Sequence, residues 1–233
     1  KTVNDVYKRK YDRPIKILQF GEGNFLRAFA DYLVDVMNEK AIFDGSVAIC
    51  QPIENGLCDL INSQDGIYTL MLRGRENGEA TEKSKIIESV KKCVNPYTDY
   101  NSFLEIAHEK ELKIIISNTT EAGIAFCEGD SFDDTPPSSY PAKLTRFLYE
   151  RFSFFNGSDE STVYVLPVEL IENNGTELYR CVNEYAKKWD LSEDFCNWLN
   201  KCSFSNTLVD RIVTGYPKKD AEAIFEKLGY TDK

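Results

Sequence analysis

The sequence has no long apolar run, a single histidine, no cysteine pair at CxxC spacing and no surplus of positive charge. Without about 18 consecutive apolar residues no helix is expected to cross a bilayer. The opening Lys1-Thr-Val-Asn-Asp-Val-Tyr-Lys-Arg-Lys is too polar for a secretory leader, so a cytoplasmic protein with no membrane partner is expected. The seven cysteines, at 50, 58, 93, 127, 181, 196 and 202, form an odd set without metal spacing. They argue for reduced thiols, most of them small core residues, and against a disulfide framework or a zinc site. The lone histidine, His108, lies in Phe-Leu-Glu-Ile-Ala-His-Glu-Lys, ahead of an apolar strand, where a helix-surface position is expected. This leaves no material for a Ser-His-Asp set or a histidine metal site. Lys and Arg number 28 against 38 Asp and Glu, a net charge of −10 without segregation, and such a chain repels a nucleic-acid backbone. There is neither an internal repeat nor a low-complexity tract. At 233 residues, 42% hydrophobic and 28% charged, the chain is an ordinary globular sequence that can bury a full core.

What is present is organised around residues 15–38. Ile15-Lys-Ile-Leu-Gln-Phe20, a short apolar strand, runs into Gly21-Glu-Gly-Asn-Phe-Leu-Arg27 and then a helical pattern. A strand, a two-glycine turn and a helix can hold a dinucleotide pyrophosphate: glycines let the ligand approach, and free helix amides with the helix dipole face its charge. Phe25, Phe29, Leu33, Val36 and Met37 fall at helical spacing, and this face is expected to pack on the sheet. The third glycine of the common fingerprint is replaced by Leu26, so a purely structural turn is the competing reading.

The rest of the chain alternates strands and helices. Residues 1–13 form a charged lead-in, and Ser46-Val-Ala-Ile-Cys50 reads as the second parallel strand. Gln51 stands where many NAD sites carry an acidic residue for the ribose hydroxyls, and Asp44 precedes that strand, so NAD and NADP both stay open. Ile67–Leu72 and Lys85–Val90 are expected to pair through Asn77-Gly78. A short helix over 101–110 precedes the strand Leu112–Ser117, which ends at Asn118 and Thr119; strand-end loops are where ligands of open α/β sheets sit. A helix over 142–152, a strand over 162–166 and helices over 176–188 and 192–202 follow, then an amphipathic helix after Lys218-Lys219. This order predicts an α/β, doubly wound, mostly parallel Rossmann-type sheet with flanking helices.

Five stretches carry a resemblance: Ile17-Leu-Gln-Phe-Gly-Glu-Gly-Asn-Phe-Leu-Arg-Ala-Phe29, Ser117-Asn-Thr-Thr-Glu-Ala-Gly-Ile124, Tyr140-Pro-Ala-Lys-Leu-Thr-Arg146, residues 167–175 and Thr207-Leu-Val-Asp-Arg-Ile-Val-Thr-Gly-Tyr-Pro217. In order along the chain they resemble the long-chain mannitol dehydrogenase family, whose turn reads GxGxF followed by Arg, as at Gly21, Gly23, Phe25 and Arg27. The resemblance implies an NAD-dependent oxidoreductase that interconverts a keto-uronate, tagaturonate, and the hydroxy acid altronate in hexuronate breakdown. Mannitol, fructuronate or mannitol phosphate as the substrate, or a non-catalytic dinucleotide-binding domain, are the alternatives. The implied cofactor-binding set is Ile17, Leu18, Gln19, Phe20, Gly21, Glu22, Gly23, Asn24, Phe25, Leu26, Arg27, Ala28, Gln51, Asn118 and Thr119. Asn174 is implied to polarise the reacting oxygen, a role that suits a neutral amide donor, and Asp210 with Arg211 to lie near the cleft without an assigned step. Family members continue into a helical second domain that carries the catalytic lysine. The 233 residues are therefore expected to form the cofactor-binding part alone, inactive in isolation, with a face that docks that domain.

Overall fold

The structure is a computed structural model that describes residues 1–120 and 123–232; Glu121 and Ala122 of the Ser117–Ile124 stretch, and Lys233, lie outside the described residues. A short helix α1 (Val3–Val6) precedes β1 (Ile15–Phe20), which leads through the glycine turn into α2 (Asn24–Ala28), α3 (Ala30–Glu39) and β2 (Ser46–Cys50). Next come α4 (Cys58–Ser63), a hairpin of β3 (Tyr68–Glu76) and β4 (Glu79–Ile87), β5 (Val90–Val94) and α5 (Tyr100–Glu105). β6 (Ile114–Ser117), α6 (Tyr140–Phe154), β7 (Tyr164–Pro167), α7 (Asn174–Lys188), α8 (Glu193–Leu199), β8 (Ser203–Phe204) and α9 (Ala221–Leu228) complete the chain.

Six strands form one sheet in the order β5-β2-β1-β6-β7-β8, with every pairing parallel. From β1 the chain first builds outward to β2 and β5, then returns to build β6, β7 and β8 on the other side. This is the expected doubly wound fold, and its reversal between β1 and β6 is where such sheets open a ligand crevice. Strand alternation divides the core. Leu18, Phe20, Ala48, Cys50, Ile115 and Val165 pack against α5, α6, α7 and α8. Ile17, Val47 and Ile49 face Val34 of α3, Cys58 and Ile61 of α4, and Tyr68.

Three expectations are corrected. The partner of β3 is Glu79–Ile87, not Lys85–Val90: Asn77 and Gly78 both have positive φ (53° and 85°), and this two-residue turn puts Glu76 opposite Glu79 and Tyr68 opposite Ile87. Val90–Val94 is instead a strand of the main sheet, beside β2. The helix after the glycines breaks at Phe29 into α2 and α3, and of the expected apolar face only Met37 packs against the buried cluster on the sheet. Leu26, Asp31, Val34, Asp35 and Asn38 are buried, whereas Leu33 is 42% exposed and Phe25 meets Phe29 at a tilt, with ring centroids 5.7 Å apart. The inward polar groups have partners from distant segments. Asp35 Oδ1 accepts from the Glu88 amide while Oδ2 pairs with Lys85, and the Asn38 amide brackets both backbone groups of Gly45.

The outer edge of β5 is occupied by side chains. Asn62 accepts from the Cys93 amide at 2.9 Å and donates to the Cys93 carbonyl at 2.8 Å. Arg9 of the lead-in donates to the Val90 carbonyl at 2.6 Å and the Glu88 carbonyl at 2.6 Å. At the opposite end of the sheet from the glycine turn, Arg151 is wholly buried and donates to the carbonyls of Ser161, Ala107, Glu109 and Leu112.

Candidate functional site

The carboxyl ends of five strands lie in register: Phe20 is opposite Cys50 and Ser117, Cys50 opposite Val94, and Ser117 opposite Pro167. The glycine turn leaves this edge at its centre, and its two glycines differ in what requires them. Gly21 has φ 119°, donates to the Cys50 carbonyl at 3.1 Å, and a Cβ there would lie 2.7 Å from the Asn118 carbonyl oxygen. Gly21 is therefore demanded by the fold. Gly23 has φ −66° and ψ 163°, an ordinary extended conformation, and a Cβ there would meet nothing within 4 Å. It is the N-cap of α2 yet offers no capping side chain, whereas α5, α6 and α8 are capped by Asp99, Ser139 and Ser192. Among the described residues the first amides of α2 have no side-chain cap and lie beside open space, a cradle that fits a pyrophosphate. Arg27 borders it: its guanidinium donates to Asn24 Oδ1 at 2.7 Å and lies 5.3 Å over the Tyr68 ring.

The remaining members of the expected cofactor set have other surroundings. Ile17, Leu18, Gln19, Phe20 and Leu26 are buried and support the turn from below, and Ala28, also buried, borders the cleft described below. Glu22 is buried too, its side chain folded against the loop after β2, and burial raises its pKa. A Cβ on Gly56 of that loop would collide with Glu22 and Gln51. Gln51 does not present its amide to a ribose: Nε2 donates to the carbonyls of Ile53 and Glu54 at 2.8 and 2.9 Å, and Oε1 accepts from the Cys58 amide at 3.0 Å. It shapes the loop. Gly23, Asn24, Phe25, Arg27, Asn118 and Thr119 remain accessible.

On the other side of the crevice, sequence reasoning passed over Glu169. It is 2% exposed and accepts from Ser117 Oγ, the Thr119 amide and Thr119 Oγ1, all at 3.1 Å, which fastens the loop after β6 to the loop after β7. Asn118 adds a bond from Nδ2 to the Val168 carbonyl at 3.0 Å. The only signal in the sequence was an acidic residue directly after an apolar strand.

The free amide donor expected at Asn174 is not observed. Nδ2 donates to the Glu169 carbonyl and to Thr207 Oγ1, and Oδ1 accepts from the amides of Gly175 and Thr207. Asn174 is a buried latch between the β7 loop and the tail. Gly175 lets that tail pass, because a Cβ there would strike the Ser205 backbone. Asp210 is exposed and makes no ion pair with Arg211, whose guanidinium lies 5.7 Å from the rings of both Phe29 and Tyr32. The tail, α2 and β3 enclose a cleft of about 490 Å³ lined in part by Arg27, Arg211 and Ile224. Large apolar side chains stand exposed along the strand-end edge and the tail: Ile53, Leu170, Leu208 and Ile212.

His108 lies before β6, at the far end of the sheet, where it bonds Glu150 at 2.7 Å and stacks on Phe154. Among the described residues no cluster of His, Cys, Asp or Glu could hold a metal, all seven cysteines are free, and no helix is long and apolar enough to cross a membrane.

Comparison with known proteins agrees with this geometry. The profile of the mannitol dehydrogenase Rossmann domain matches residues 15–232. Altronate oxidoreductases of Escherichia coli O7:K1 (strain IAI39 / ExPEC) and Shigella sonnei (strain Ss046) are each 48% identical over 221 residues, covering 94% of this chain and 46% of theirs. The chain thus spans about half the length of these relatives. Among solved structures, a substrate-free D-sorbitol dehydrogenase superposes with a TM-score of 0.77 at 20% identity, covering 96% of this chain and 49% of its own. The ternary complex of Pseudomonas fluorescens mannitol 2-dehydrogenase with NAD and D-mannitol gives 0.76 at 18% identity, covering 93% and 46%. The glycine turn, the strand order and the matched length together make this chain a member of the mannitol dehydrogenase family, comprising its Rossmann domain.

Proposed function

We propose that the chain is the dinucleotide-binding half of an oxidoreductase that interconverts tagaturonate and altronate with NADH and NAD. The observation that carries the reading is Gly23: an uncapped helix start beside space that the fold leaves empty. The relatives named altronate oxidoreductase supply the substrate class, and the solved complex of mannitol 2-dehydrogenase with NAD supplies the cofactor. Amides at the start of α2 and Arg27 would hold the pyrophosphate, with Asn118 and Thr119 beside the nicotinamide half. The bound dinucleotide supplies or accepts the hydride; this chain's groups bind and orient it.

At the strand-end edge Asn174 and Glu169 are both engaged in the loops, so neither is a free proton or oxyanion donor. Under this reading the catalytic lysine comes from a second, helical domain of the whole protein, which docks on the exposed Ile53, Leu170, Leu208 and Ile212. Calorimetric titration of the chain with NADH and NADPH tests the cofactor half. One-site binding that prefers NADH is expected, and equal or stronger NADPH binding overturns the NAD assignment. The full-length enzyme, assayed with tagaturonate, fructuronate and fructose, tests the substrate; preference for fructuronate or fructose overturns it.

A further inference from the structure

Beneath the glycine turn lies a buried polar group that the site described so far does not use. Alternation along β1 puts Gln19 on the same face as Ile17, toward α3, where Asp31 sits one turn before Val34. Gln19 and Asp31 are both fully buried and lie against each other. Gln19 Nε2 donates to the Gly21 carbonyl at 3.0 Å, which leaves Gln19 Oε1 without a donor among the described residues, and Asp31 Oδ1 is also unpartnered. Asp31 Oδ2 lies 3.3 Å from the Tyr68 hydroxyl, but that hydroxyl has one hydrogen and lies 2.6 Å from the Arg27 carbonyl, which can only accept. An ionised Asp31 would leave Oδ1 and Gln19 Oε1 as two buried acceptors without a donor, its contacts with Tyr68 and Gln19 notwithstanding. One proton on it supplies the donor its neighbours lack, whichever oxygen carries it.

We propose that Asp31 is a positioning residue held as a neutral carboxylic acid, joining the glycine turn through Gln19 to Arg27 through Tyr68, and that dinucleotide binding is coupled to its proton. The coupling rests on the dinucleotide reading above. Burial dominates and pushes the Asp31 pKa up to about 7; Arg27 on α2 opposes this, as do the bonds from Tyr68 of β3 and Gln19 of β1, while Asp35 one turn along α3 adds to it. Ser89, from the segment before β5, donates only to the Asp31 backbone carbonyl. A pyrophosphate at the turn brings further negative charge near Asp31 and favours the protonated form. Dinucleotide binding above neutrality therefore takes up a proton.

Two measurements separate this proposal from the reading it rests on. Infrared spectra of the ligand-free chain labelled with ¹³C-aspartate report whether one aspartate carries a carboxylic-acid band at about pH 6 that fades by about pH 9; the label excludes the buried Glu22. The band is expected in the wild type and is expected to be lost in Asp31→Asn. NADH titrations over the same range, in buffers of different ionisation enthalpy, are expected to show uptake of up to one proton and affinity falling up to tenfold per pH unit above the midpoint. Asp31→Asn, a permanently neutral replacement, is expected to bind with pH-independent affinity. An absent band in the wild type, or an unchanged pH slope in the Asn variant, overturns the proposal. Failure of both proteins to bind NADH overturns the dinucleotide reading and with it the coupling, while the infrared band still decides the charge of Asp31.

Discussion

The contrast between Gly21 and Gly23 allows fold and ligand effects to be separated within a single turn. Gly21→Ala places a Cβ 2.7 Å from the Asn118 carbonyl at φ 119°. Such backbone strain costs about 1–3 kcal/mol, and the carbonyl must also move. At about 2–4 °C per kcal/mol for a chain of this size, the melting temperature is expected to fall by roughly 4–10 °C. Gly23→Val meets no atom within 4 Å and keeps an ordinary φ of −66°. A valine N-cap is poorer than glycine, but the unfolded chain loses freedom, so these opposing effects leave stability within about 0.5 kcal/mol. Its isopropyl group occupies the space assigned to the pyrophosphate, and NADH affinity is expected to drop at least tenfold, about 1.4 kcal/mol. Differential scanning calorimetry and NADH titration of both variants decide the matter. A Gly23→Val protein that melts like Gly21→Ala would mean the second glycine serves the fold, and one that binds NADH normally would mean the ligand lies elsewhere.

Arg151→Ala strips four backbone carbonyls of their donor and is expected to cost at least about 3 kcal/mol in urea unfolding, with Arg151→Lys recovering part; a loss under about 1 kcal/mol would refute the role assigned to those bonds. Asn174→Ala is expected to lower stability by about 1–3 kcal/mol and to expose residues 205–217 to protease while leaving NADH affinity within about twofold. Because the folded Asp31 pKa of about 7 is raised above its ordinary 3.8, the folded state holds that proton more tightly than the unfolded chain. The stability it contributes is complete below about pH 4 and is lost as pH rises to about 7, by up to about 4 kcal/mol; Asp31→Asn is expected to flatten the urea-derived profile over this window. Of the seven thiols, the partly exposed Cys127 and Cys196 are expected to react first with a thiol reagent, read by mass spectrometry, and early labelling of Cys50 or Cys93 would contradict the packing.

The parallel sheet was legible because β1, β2, β6 and β7 are runs of Ile, Val and Leu that no other element shares. β5 was hidden by Lys91 and Lys92 in its centre, side chains that suit the border of a sheet. The inward face of α3 was misjudged because hydrophobic spacing cannot anticipate partners such as Tyr68 and Glu88, which lie far along the chain. The same limit governs the site. Gly21 and Gly23 could be found from local spacing, but residue type alone could not show that the amides of Gln51 and Asn174 are already saturated, or that Glu169 ties two loops together. Side chains with the right chemistry at the right strand end are distinguished only by whether their lone pairs and protons are still free.

The border at β5 has a consequence for solubility. A bare strand edge is a template on which another chain can grow a ladder, and this sheet ends safely on both sides. On one side β8 is only two residues long. On the other, Asn62 presents to Cys93 the donor and acceptor that an intruding strand would bring, and Arg9 occupies the Val90 carbonyl. The charged lead-in and one asparagine of α4 thus act as a stopper against intermolecular pairing. Trimming residues 1–13 together with Asn62→Ala is expected to yield a chain that still folds but associates with rising concentration, through an edge remote from the glycine turn.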